Sequence, residues 1–135
     1  MKKIIWTNGC FDILHRGHIE LFRYAASIGN ELVVGIDTDE KVQLDKGMNR
    51  PINNLQDRMY MLQSIKYINK VIPFASTEDL RKTIRWYQPN IMVIGSDWSE
   101  DDVIGREFSD KLVFFDRVGD YSTTNLYTTF KGSQV

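Results

Sequence analysis

The chain has 135 residues, 42% of them apolar, with a net charge of −1, one cysteine and two histidines. That length suits a single domain over residues 1–135, with a frayed tail from about residue 131. Near-neutral charge argues against a polyanion surface, so no nucleic-acid partner is expected, and the three Cys and His side chains cannot complete a four-ligand zinc site.

Ile4-Ile5-Trp6 reads as a first strand, and polar Thr7-Asn8-Gly9 ends the apolar run too early for a secretory leader. No apolar stretch is long enough to span a bilayer, so a cytoplasmic protein without a membrane partner is expected. His18 to Ser27 carries a helical stripe of Ile19, Leu21, Phe22, Ala25 and Ala26, with Gly29 as its C-cap. Glu31 to Ile36 is a second, buried strand. Asn54 caps a helix with apolar Leu55, Met59, Leu62 and Ile65. Lys70 to Pro73 is a third strand, and Thr77 caps a helix towards Trp86 that Pro89 stops. Ile91–Gly95 and Lys111–Phe115 are the fourth and fifth strands, and a last helix starts at Ser122 and runs past Leu126.

Apolar strands alternating with helices predict an α/β chain: a Rossmann-like, doubly wound, mostly parallel five-stranded sheet with helices on both faces. Ligands of such sheets sit at the carboxyl ends of the strands, near a switch point. The loops after Trp6, Ile36, Ile72, Ile94 and Phe115 are therefore where chemistry is expected.

The first of these loops carries the sharpest pattern. Both histidines of the chain, His15 and His18, bracket Gly17 where the first helix begins. A helix N-terminus offers N–H groups and partial positive charge to an anion, and glycine allows close approach. Imidazoles three residues apart can donate to the same phosphate.

Gly9-Cys10-Phe11-Asp12 followed by His15-Arg16-Gly17-His18 resembles the signature of the cytidylyltransferase-like nucleotidyltransferases, the last four residues matching its HxGH motif. The resemblance extends to about Leu126. It implies that His15 and His18 steady the five-coordinate α-phosphate during in-line displacement, and that Gly9, Cys10, Phe11 and Gly17 line the nucleotide. Arg117 to Thr124 is similar to the cytidylyltransferase motif RTxGxSTT, which implies nucleotide contacts from Arg117, Tyr121, Ser122, Thr123 and Thr124 and a catalytic role for Arg117. Gly95, Asp97 and Trp98 resemble the segment that lines base and ribose. Lys46, placed in a loop after the second strand, is the candidate to reach the α-phosphate.

Two subgroups compete. Arg117 and Ser122-Thr123-Thr124 resemble glycerol-3-phosphate cytidylyltransferase. Thr7 to His15 and Lys46 to Asn53 are closer to the adenylyltransferase domain of the bifunctional ADP-heptose synthase. CTP is favoured over ATP, with a phosphorylated polyol such as glycerol 3-phosphate as acceptor; the alternative is an ADP-sugar made from a heptose 1-phosphate, and a non-catalytic nucleotide-binding module is a second. Arg58 touches phosphate or orders a loop, Asp12 is a structural or metal-linked carboxylate, and Asp37 and Asp39 face a sugar hydroxyl; Asp12, Asp37 and Arg58 are grouped with the acceptor. Mg²⁺ is expected, held mainly by the triphosphate, and the family resemblance implies a homodimer.

Overall fold

The computed structural model describes residues 2–96 and 99–116. Asp97, Trp98, Arg117, Tyr121, Ser122, Thr123, Thr124 and the last helix expected from the sequence lie outside the described residues.

Five parallel strands form one sheet: β1 (Ile4–Gly9), β2 (Glu31–Asp37), β3 (Lys70–Phe74), β4 (Ile91–Gly95) and β5 (Lys111–Phe115), in the order β3-β2-β1-β4-β5. The helices are α1 (Arg16–Ser27), α2 (Asp39–Lys46), α3 (Leu55–Gln63) and α4 (Thr77–Tyr87), with single 3-10 turns at Glu100–Asp102 and Arg106–Phe108. This is the doubly wound, Rossmann-like sheet expected, and every pairing in it is parallel.

Successive strand residues face opposite sides. Ile5, Leu32, Val34, Ile36, Val71 and Val93 pack with Phe22 and Ala25 of α1 and Leu62 of α3. Trp6, Val33, Met92 and Ile94 pack with Leu80 and Ile84 of α4. Each buried Val, Leu, Ile, Phe or Met among them contributes about 1.5–3 kcal/mol relative to exposure. Gly35 is where the sheet needs no side chain: a Cβ there would stand 2.6 Å from the Trp6 ring and 3.1 Å from the Phe74 ring.

The amino edge of the sheet is held by asparagines. Asn30, Asn69 and Asn90 each immediately precede a strand, and their side-chain oxygens accept from the amides of Lys3, Leu32 and Ile4 at 2.7, 2.8 and 2.9 Å. These bonds fix the relative heights of neighbouring strands at one edge and leave the carboxyl edge to the loops.

Several boundaries differ from expectation, and α1, β2 and β3 each run one or two residues beyond it. β1 continues to Gly9, because Thr7, Asn8 and Gly9 pair with Val34, Gly35 and Ile36. The C-cap of α1 is Ile28; Gly29 instead makes room for Ile5, whose Cγ1 would lie 2.4 Å from a Cβ. Ser76, not Thr77, caps α4, accepting from the Asp79 amide. Lys46 is not in a loop: it is the last residue of α2, a helix capped by Thr38 and ended by Gly47 at φ 104°.

Candidate active site

Chain order reverses on either side of β1, so the switch point lies between the carboxyl ends of β1 and β4. Gly9 closes β1 there and Gly95 closes β4, where a Cβ built on Gly95 meets no atom within 4 Å among the described residues. From Gly9 the chain runs through Cys10, Phe11 and Asp12 to His15, the N-cap of α1.

Phe11 sets the shape of that loop. It takes a positive φ of 50°, which costs a side-chain-bearing residue about 1 kcal/mol or more. Its buried ring lies over Gly9, where a Cβ would be 3.1 Å away, and packs edge-on against His18 and tilted on Phe22 at 5.5 and 5.3 Å. The Phe11 side chain, expected to line the nucleotide, thus forms the floor beneath His18.

The two imidazoles stack, with centroids 3.8 Å apart and planes 26° apart. The His15 backbone N–H donates to His18 Nδ1 at 3.2 Å. An accepting Nδ1 carries no proton, so the neutral ring carries its proton on Nε2. Burial, then the His15 ring and the Lys46 ammonium, push the His18 imidazole down to about 3. His18 is therefore a neutral donor near pH 7, and Gly17 and His18 occupy the second and third positions of α1, in the turn where helix amides face an anion.

Lys46, exposed at the end of α2, acts on the same space: its charge bears on His18, Cys10 and Asp37. Burial pushes the Cys10 thiol up against the pull of Lys46 and Arg58, which keeps it protonated near neutrality. Asp37 ends β2 and its carboxyl is also pushed up by burial, partly offset by Lys41 at 3.8 Å.

Two residues expected to meet the acceptor are buried and bonded within the protein. The Asp12 carboxylate is buried and accepts from Arg50 Nε at 3.2 Å and from the amides of Ile52 and Asn53 at 2.8 and 2.9 Å. It clasps the first loop to the segment before α3, and is not offered to substrate or to a cation. Arg58 is 1% exposed. Its guanidinium donates to the carbonyls of Asn53, Cys10 and Asp37 at 2.9, 2.8 and 2.8 Å and pairs with Asp39 at 2.7 Å. It orders loops, the second of the two roles open to it. Asp39, expected to face a sugar hydroxyl, is the carboxylate that pairs with Arg58. Asn53 joins this constellation with no site role expected of it from the sequence.

A parallel sheet whose switch point opens onto paired imidazoles at a helix N-terminus defines an α/β protein suited to an anionic, phosphate-bearing ligand. The chain belongs to the cytidylyltransferase-like family, whose model matches residues 6–131, and is an enzyme of the nucleotidyltransferase type. Bifunctional protein HldE of Sulfurimonas denitrificans is 39% identical over 131 residues, covering 97% of this chain and 27% of that protein. HldE of Aliarcobacter butzleri is 41% identical over 124 residues, covering 92% and 26%. The chain thus spans about a quarter of the length of these curated relatives. Among solved structures, a lipopolysaccharide core biosynthesis protein of Thermoplasma volcanium superposes with a TM-score of 0.70 at 24% identity, covering 90% of this chain and all of that one. Pantothenate synthetase of Thermus thermophilus gives 0.67 at 15%, covering 97% and 64%. These two establish likeness of fold.

The relatives correct one expectation. Matches to HldE proteins over nearly the whole chain overturn the reading as a CTP-dependent glycerol-3-phosphate cytidylyltransferase and favour its adenylyl alternative. The Arg117 to Thr124 motif had outweighed Thr7 to His15 and Lys46 to Asn53. It departs from the cytidylyl pattern at Val118 and at Gly119-Asp120.

Proposed function

We propose that the chain transfers AMP from ATP to the phosphate of a heptose 1-phosphate, forming an ADP-heptose and releasing pyrophosphate. The observation that carries nucleotidyl transfer is the stacked pair His15 and His18 at the start of α1, with His18 held as a neutral Nε2–H donor. What supports adenylyl transfer is the HldE relationship across both the first loop and the Lys46 to Asn53 segment.

An acceptor phosphate oxygen attacks the α-phosphorus, the new P–O bond forms in line, and the bond to the β-phosphate oxygen breaks. A phosphomonoester dianion is already nucleophilic, so no base is required. His15, His18 and the first amides of α1 stabilise charge on the α-phosphate oxygens, Lys46 adds a cation, and catalysis is positioning plus electrostatics. Among the described residues no group of three or more His, Cys, Asp or Glu side chains is arranged to hold a metal, and Asp12 is engaged, so the residues fit a cation carried by the triphosphate. When bound, Mg²⁺ neutralises phosphate charge and orients the leaving group. Gly9, Cys10, Gly17 and Gly95 line the nucleotide in this reading, Asp37 stands near the sugar, and the enzyme works in the cytoplasm as a homodimer.

The test is pyrophosphate release from ATP, CTP, GTP and UTP, each against heptose 1-phosphates, glycerol 3-phosphate and no acceptor. ATP with a heptose 1-phosphate should dominate. Comparable release from CTP, or none with any heptose phosphate, would end the reading.

A further inference from the structure

Arg58 is one of the largest fully buried side chains and carries a charge, yet among the described residues its only carboxylate partner is Asp39, itself one-third exposed. An apolar residue would fill the same volume, but would leave the carbonyls of Cys10 and Asp37 without this donor. Those carbonyls stand at the carboxyl ends of β1 and β2. Cys10 opens the loop that carries the histidines, and Asp39 is the first residue of the helix whose last residue is Lys46. One planar fork therefore bonds the histidine loop, the end of β2, the start of α2 and the approach to α3.

We infer that Arg58, with Asp39 as its charged partner, is a positioning residue that sets the spacing between the histidine pair and Lys46. It touches no reacting atom and acts through the two elements it joins. Lysine cannot replace it, because a single ammonium has no rigid fork with which to span carbonyls on three segments. The inference rests on the proposed nucleotidyl transfer for its catalytic meaning, but the spacing itself is measurable without turnover.

Asp39→Asn keeps an acceptor at a partly exposed position and so spares the fold; Arg58→Lys is the second variant. His18 is followed by NMR titration in the ligand-free chain, alongside Lys46→Ala and the double variant Asp39→Asn/Lys46→Ala. Removing a carboxylate by simple charge arithmetic should make His18 harder to protonate. Loss of the spacing should do the opposite, as Lys46 draws away and the loop loosens. Asp39→Asn and Arg58→Lys are expected to raise the His18 titration midpoint by at least about half a pH unit. The double variant should go no further than the larger single change. With ATP and acceptor, both variants should lose about tenfold or more in kcat while KM for ATP moves less than about threefold. A midpoint that falls or stays in folded Asp39→Asn and Arg58→Lys overturns the inference, as does kcat within about twofold of the parent. A chain that shows the titration shift but never releases pyrophosphate sinks the proposed function and leaves the spacing role standing.

Discussion

At the scale of single residues, His18 does most with least. Third in its helix, it places Nδ1 under the His15 amide, as a glutamate or glutamine does in a capping box. The same bond leaves Nε2–H for the ligand. His18→Ala should lower kcat by about 10²–10³-fold with little change in triphosphate Kd, as loss of one preorganised donor to a developing charge does. Turnover within about threefold of the parent would show that the ring is not in the reaction. Protonation provides a second check. Unfolded, this imidazole takes a proton near 6.5; folded, it does so only near 3. Between those values the unfolded chain binds more protons, so stability falls as pH drops from about 6.5 towards 3, by at most about 1.4 kcal/mol per pH unit from this group. His18→Gln keeps an acceptor for the His15 amide and removes the titration, so urea midpoints between pH 6.5 and 4 should decline less steeply than the parent's.

At the scale of elements, what could be read from the sequence followed apolar periodicity. Buried strands and the stripes of α1, α3 and α4 were visible because each has a face of aliphatic residues. Helix α2 was not, because Val42 is its only buried residue, its other apolar residue, Leu44, is exposed, and the remainder is charged or polar. Its signals were of another kind: Thr38 as cap, Asp39 and Glu40 in the first turn, Lys46 in the last, then Gly47. The histidine pair was readable because glycine and a strand-to-helix turn flank it. The choice between the two roles open to each of Asp12 and Arg58 was not, since their partners lie as far as 41 and 48 residues away in sequence. Gly47, at φ 104°, makes the end of α2 testable. Gly47→Ala meets no neighbouring atom among the described residues but is strained by its backbone, and should cost about 1 kcal/mol in chemical denaturation. A neutral or stabilising result would mean the turn readily takes another conformation.

At the scale of the whole molecule, the two edges of the sheet have different duties. The amino edge is locked by asparagines that bridge neighbouring strands, and the carboxyl edge carries the candidate site. Asn90→Ala removes the acceptor for the Ile4 amide, and should destabilise the chain by about 1–2 kcal/mol while leaving KM for ATP unchanged within about twofold. A fall in catalysis without a fall in stability would place Asn90 in the wrong camp.

That asparagine also joins parts of the chain 86 residues apart. β1 assembles with β2 and β3 through nearby sequence, whereas β4 and β5 arrive from the far half, and the crevice proposed for the nucleotide is the seam where the halves meet. Closing so wide a loop is the entropically slow event of folding. A triphosphate seated across that seam acts as a rivet, so saturating ATP should slow unfolding far more than it speeds refolding. The binding cleft is then also the last joint to be made and the first at which the bare protein would come apart.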